Sequence, residues 1–242
     1  MIQKIDPKND RRHFLKTSAT ALAAAQLMGT GAWAGANEKV RVAVVGVHGQ
    51  GRTHIRKYLE INEAELVALC DVDQSVLDKA CEELIVSKGF PKPKLFWNYR
   101  ELLEDPSIDA VSFATPNHWH SLQAIWGCQA GKHVYVEKPL SHNIWEGRQL
   151  VKAARKYNRI VQHGTNSRSS DGVREAVRLL REGVIGDVYM AKGLCYKWRD
   201  TIGHTPDEPV PPGVHYDQWI GPAPERPFSR NRFHYNWHWQ WP

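Results

Sequence analysis

From residue 40 onward, short runs of β-branched and apolar residues alternate with longer stretches in which apolar positions recur every three or four residues. The runs at 40–45, 65–71, 94–97, 110–114, 133–136 and 160–163 read as strands. The stretches near 53–60, 74–87, 99–103, 119–130 and 144–158 read as helices. The strand-like runs are rich in β-branched and apolar residues, as in strands covered on both faces, and right-handed crossovers would distribute the helices over the two sides of one parallel sheet. The pattern predicts a doubly wound α/β domain over residues 37–163.

The rhythm changes after Gly164. A helical pattern near 173–181 precedes an alternating stretch, 187–196, that suits a strand of a different, antiparallel sheet, and a proline- and aromatic-rich region runs from there to Pro242. One strand cannot bury an apolar face by itself. Residues 164–242 therefore read as the start of an α+β domain for substrate binding or oligomerisation that continues beyond Pro242. The competing reading is a short extension packed on the first domain.

Ahead of both, Arg11-Arg12-His13-Phe14-Leu15-Lys16 is followed by an uncharged, alanine-rich stretch at 17–28 and small residues around Ala32-Trp33-Ala34. Basic, apolar and small-residue zones in that order mark residues 1–36 as a twin-arginine signal, which implies export to the periplasm through the twin-arginine machinery. An N-terminal helix of the mature fold is the alternative. The apolar run is shorter than the roughly 20 residues that cross a bilayer.

Charge changes the picture little. The net +6 includes +3 from the leader, whose Lys4, Lys8, Arg11, Arg12 and Lys16 outnumber Asp6 and Asp10. The remainder is too mildly basic for a nucleic-acid binder. Cys70, Cys81, Cys128 and Cys195 are far apart, with neither metal spacing nor a disulfide framework, and read as buried thiols.

The first strand runs directly into Gly46-Val47-His48-Gly49-Gln50-Gly51. On the Gly-x-Gly-x-x-Gly template, Gly46 matches the tight turn and Gly51 the close helix–strand packing. His48 stands where the middle glycine belongs, so Gly49 must provide the clearance for a diphosphate approaching the amides of the helix N-terminus. Asp71 ends the second strand, twenty residues beyond Gly51. A carboxylate there accepts from ribose hydroxyls and repels a 2′-phosphate, which favours NAD over NADP. The plainer reading makes Asp71 a turn or cap residue, although Asp73, just before the helix near Gln74, is the better placed cap.

Two polar clusters follow strand ends, where open α/β sheets bind ligands: Thr115-Pro116-Asn117-His118-Trp119-His120 and Glu137-Lys138-Pro139. Hydride transfer from a secondary alcohol requires a group that takes the hydroxyl proton and steadies the developing carbonyl oxygen, and a lysine can do both. His118 and His120 diverge at a helix start without a third ligand, so no metal site is expected. His120 reads as a cap or wall of the cleft, and His118 as exposed.

The glycine turn, Thr-Pro-Asn-x-x-His and Glu-Lys-Pro, in this order over residues 40–164, resemble the glucose-fructose oxidoreductase / inositol dehydrogenase / MocA family. The resemblance implies an NAD(P)-dependent oxidoreductase acting on a sugar or cyclic polyol. Thr115, Asn117 and Glu137 would then contact the cofactor, Lys138 would reach the hydroxyl of the reacting carbon, and Lys138-Pro139 would be cis. It also implies an Asp-x-Gly-x-His segment whose histidine works with the lysine, and no such segment occurs in this sequence. Asn166 and Arg168 follow the last strand, at a junction that borders the substrate pocket in similar proteins; either could equally be a surface linker residue. The aromatic tail at 233–241 suits sugar faces as well as it suits a packing or homo-oligomer contact. Some relatives use NAD transiently to hydrolyse glycosides, so that chemistry stands as an alternative. A non-catalytic dinucleotide-binding fragment is a third reading.

Overall fold

The computed structural model describes residues 39–198 and 200–239, so the predicted export signal lies outside the described residues. Its sheet consists of β1 (Val40–Val45), β2 (Ala64–Cys70), β3 (Lys94–Phe96), β4 (Ala110–Phe113), β5 (His133–Glu137) and β6 (Val161–Gly164). The helices are α1 (Gln50–Glu60), α2 (Gln74–Leu84), α3 (Tyr99–Glu104), α4 (Asn117–Gln129), α5 (Ile144–Lys156), α6 (Asp171–Arg181) and the short α7 (Tyr216–Ile220). All strand pairings are parallel, in the order β3-β2-β1-β4-β5-β6. This is the doubly wound Rossmann order, and its direction reverses between β1 and β4.

Side-chain alternation along β1 divides the core. Ala43 and Val45 face a cluster with Phe113, Val136, Leu102, Trp119, Cys128 and Leu150, whereas Val44 faces Ile55, Leu69, Leu77, Leu84 and Ile85. Both faces of the central strands are covered, which explains why those strands read as mainly apolar runs. Register then places the chemistry. Val45 pairs with Cys70 on one side and Phe113 on the other, and Phe113 pairs with Val136. The residues leaving these strands, at Gly46, Asp71, Ala114 and Glu137, therefore emerge along one edge.

Two expectations are corrected in the second region. Residues 187–196 form no strand and are exposed, with Tyr189 at 91% and Trp198 nearby at 92%. Alternation alone does not make a strand; a ladder needs a neighbour to accept its backbone hydrogen bonds, and no other strand lies beside this segment among the described residues. Cys195 lies in the same stretch and is exposed, unlike the buried Cys70, Cys81 and Cys128. Further on, Tyr216, Ile220, Phe228 and Phe233 bury one another in a small separate cluster.

Candidate functional site

A cleft of about 450 Å³ opens at the carboxyl ends of β1, β2, β4 and β5, within the roughly 300–1,000 Å³ typical of ligand sites. Its wall includes Gly46, Gly49, Asp71, Thr115, Asn117, His120, Glu137, Lys138 and Asn166. Arg168 is exposed and lies outside this wall.

The three glycines of the turn have separate roles. Gly46 adopts φ +82°, and a Cβ there would lie 2.9 Å from the backbone of Ala114 and Thr115. A Cβ on Gly51 would lie 1.9 Å from the Gly46 carbonyl oxygen, so Gly51 belongs to the packing beneath the cleft and not to its wall. A Cβ on Gly49 would meet no protein atom within 4 Å. The space over Gly49 is the clearance that the displaced glycine motif demanded. Helix α1 begins there without a side-chain cap and with no acidic residue in its first turn. Its N-terminal dipole is thus left available to an anion.

Asp71 is buried just past β2 and is tied to the glycine loop. Its Oδ2 accepts from Val47 N at 2.8 Å and its Oδ1 from Asp73 N at 3.1 Å. Burial raises its pKa, and the two amides oppose that shift. Asp73 performs the capping, accepting from Ser75 N and Val76 N at the start of α2. Asp71 is therefore not a helix cap; it joins the ends of β1 and β2 and borders the cleft. A buried carboxylate beside a glycine turn, clear space above Gly49 and an open helix N-terminus fit the ribose and diphosphate of a dinucleotide.

At the other end, Glu137 is fixed by three donors. Its Oε1 lies 3.1 Å from His54 Nε2 and 3.3 Å from Gln50 Nε2, and its Oε2 accepts from Lys138 N at 3.1 Å. His54 Nδ1 lies 2.9 Å from Ser112 Oγ. This buried network was missed in the sequence, where the only signal was a histidine beside Ile55 on the inner face of a helix. Lys138 is exposed at the cleft, and the Lys138–Pro139 peptide is cis, as the resemblance implied.

Thr115 donates to Gln123 Oε1 at 2.6 Å. His120, 1% exposed, joins the two polar clusters: Nδ1 lies 2.6 Å from Pro139 O and Nε2 2.7 Å from Thr115 O. Burial lowers its pKa, while the two carbonyl acceptors pull the other way. His118, expected to be exposed, is half-buried and donates from Nε2 to Trp219 O at 3.1 Å. The second region folds back over it.

His54 and His118 have pKa values lowered chiefly by burial. The unfolded chain therefore binds more protons than the folded one below the ordinary histidine pKa of about 6.5. Their contribution to stability is fully present above that pH and is lost as pH falls through it. Urea unfolding should accordingly show a lower midpoint at about pH 5.5 than at about pH 7.5, and His54→Gln should shrink the difference. Equal midpoints for the parent at the two pH values would contradict neutral, buried histidines.

Comparison with known proteins agrees with this geometry. Residues 40–165 match the model of the oxidoreductase family with an NAD-binding Rossmann fold, and residues 171–242 match the family's C-terminal alpha/beta domain. A glycosyl hydrolase family 109 protein of Shewanella sp. (strain MR-4) is 35% identical over 155 residues, covering 62% of this chain and 34% of that protein. An alpha-N-acetylgalactosaminidase of Shewanella oneidensis is 32% identical over the same length, with the same coverage. Among solved structures, scyllo-inositol dehydrogenase from Lactobacillus casei, with bound NAD(H) and scyllo-inositol, superposes with a TM-score of 0.55 at 29% identity, covering 62% of this chain and 43% of that one. Myo-inositol 2-dehydrogenase from Lactobacillus plantarum gives 0.56 at 29%, with the same coverage. The chain thus spans about a third of the length of the curated relatives it matches. The Rossmann match alone covers more than half of the sequence, and the protein belongs to the glucose-fructose oxidoreductase / inositol dehydrogenase / MocA family of oxidoreductases.

Proposed function

We propose that this chain carries the cofactor half of an exported oxidoreductase that transfers a hydride between a sugar or cyclic polyol and NAD. The observation that carries the reading is the convergence, in one cleft, of the Gly46–Gly49 turn, Asp71, Glu137 and Lys138. Asp71 would hold the adenosine ribose and disfavour a 2′-phosphate, making NAD the preferred form. Thr115, Asn117 and His120 would border the nicotinamide side. Bound NAD would supply the hydride acceptor. Lys138 Nζ would hold the substrate hydroxyl, receive its proton and steady the carbonyl oxygen as it forms, while Glu137, pinned by His54 and Gln50, fixes the backbone from which Lys138 projects.

The substrate class follows from the relatives. The Lactobacillus casei structure holds an inositol and the Shewanella oneidensis relative is named for a glycosidase, so both point to polyhydroxylated rings. Asn166 lines the same cleft as Lys138 and would be a substrate contact. The names of the Shewanella relatives favour a second reading, glycoside hydrolysis through transient oxidation by tightly held NAD.

One preparation tests the proposal. Protein expressed from the full gene and recovered from the periplasmic fraction should release dinucleotide on denaturation and bind NADH more tightly than NADPH. It should also reduce NAD with one member of a sugar and polyol panel. Release of free sugar from glycosides with no net NADH would select the second reading. Retention in the cytoplasm would remove the export assignment, and failure to bind either dinucleotide would remove the cofactor.

A further inference from the structure

Residues 213–237 lie outside the Rossmann layers, yet they grip the cleft on both sides. Beside β2, Gln74 N donates to Gly213 O at 3.0 Å and His215 N to Val72 O at 2.9 Å. The His215 ring stacks on Trp97 with centroids 3.9 Å apart, and His234 Nε2 meets Asp73 Oδ2 at 2.8 Å. Beside β4, Trp219 O accepts from Trp119 Nε1 and His118 Nε2, each at 3.1 Å. Gly221 packs so tightly there that a Cβ would lie 1.9 Å from the Trp119 indole.

Strands β2 and β4 flank β1, so the two anchors stand on either side of the glycine turn. Between them the segment is stiffened by its own cluster of Tyr216, Ile220, Phe228 and Phe233. Trp219, His234, Tyr235 and Trp237 accordingly complete the wall of the cleft that also contains Gly46, Gly49 and Asp71. Of these, His234 is the residue fastened beside Asp71: its partner Asp73 donates its own backbone amide to Asp71, and its ring lies 4.3 Å from that of His48 in the glycine loop.

We infer that residues 213–237 form a roof over the adenosine end of the dinucleotide site, and that His234 binds the adenosine moiety and slows release of the cofactor. The inference rests on the dinucleotide reading above. A flat base beside an Asp71-bound ribose would be enclosed by imidazole and indole faces, which suit stacking on an aromatic base. Loss of the ring should therefore act on the adenosine half and spare the nicotinamide half.

The test uses the whole chain and follows NADH release by stopped-flow fluorescence, together with equilibrium binding of ADP-ribose and of nicotinamide mononucleotide. His234→Ala should speed NADH release and weaken ADP-ribose by about tenfold, the scale of one lost stacking contact, with mononucleotide affinity unchanged. His234→Phe retains a ring but gives up the Asp73 bond, so it should lie between parent and alanine variant. Should His234→Ala fail to fold in a thermal melt, His234→Gln carries the same comparison. A folded variant with parental NADH release would overturn the roof while leaving the cofactor site standing. Equal weakening of both halves would also overturn it, as general damage to the cleft. A parent that binds no NADH would remove the cofactor reading and the roof together.

Discussion

Lys138→Met is expected to slow hydride transfer by about 10²–10⁴-fold, the usual contribution of a positioned acid–base group, while NADH affinity stays within about twofold of the parent. The reasoning is positional. Lys138 follows β5 directly and its side chain borders the cleft, whereas the groups that pair with Glu137 are His54, Gln50 and the Lys138 backbone amide. Methionine retains that amide and much of the length of the side chain but has no proton to give or take. Lys138→Arg should recover little, because a guanidinium stays protonated and spreads its charge over a planar fork. The measurement is steady-state NAD reduction with whichever polyol proves to be the substrate, set against NADH titration of the same preparations. A parallel loss of dinucleotide affinity would make Lys138 a binding residue instead.

Gly51→Ala is the second large effect. The new methyl would sit 1.9 Å from the Gly46 carbonyl oxygen, a backbone atom that is itself held in the turn by the bond from Gly46 N to Cys70 O at 2.8 Å. Neither partner is a flexible side chain, so α1 must move away from β1. Overpacking of this kind costs about 1–3 kcal/mol, and the displaced helix N-terminus would no longer face the diphosphate. A lowered melting temperature and an NADH affinity reduced by at least about tenfold are expected together. Gly49→Ala provides the contrast. Its methyl meets no protein atom within 4 Å, so the melt should be nearly unchanged while NADH binding weakens, because the added group fills ligand space. Equal melts for the parent and Gly51→Ala would show that the turn yields more easily than its geometry implies.

The same two positions show how far local pattern carries. Each strand of the Rossmann layer was legible to within about a residue, because strands packed between helical layers concentrate apolar and β-branched residues in short runs. Asp73 was recognisable as a cap from its place before α2, and it does accept from Ser75 N and Val76 N. His54 was not legible as a site residue. A histidine on the inner face of a helix has the same appearance in sequence whether it meets a leucine or a carboxylate, and only the tertiary packing of α1 on the sheet puts it against Glu137, at the end of β5, and Ser112 of β4. His118 was misjudged for a related reason: what buries it is a carbonyl one hundred and one residues away.

The second region marks the boundary most plainly. Residues 187–196 alternate like a strand but lack a neighbouring ladder, while the aromatic tail, which as sequence suited a sugar, a packing contact or an interface equally well, folds onto itself and onto the ends of β2 and β4. The sequence by itself determined the elements, the glycine turn and the residues able to do chemistry, since helix period, strand burial and turn strain are properties of a few adjacent residues. Which of those residues share a cleft was decided by tertiary structure: parallel register aligned the exits of β1, β2, β4 and β5, and long-range burial laid residues 213–237 across them.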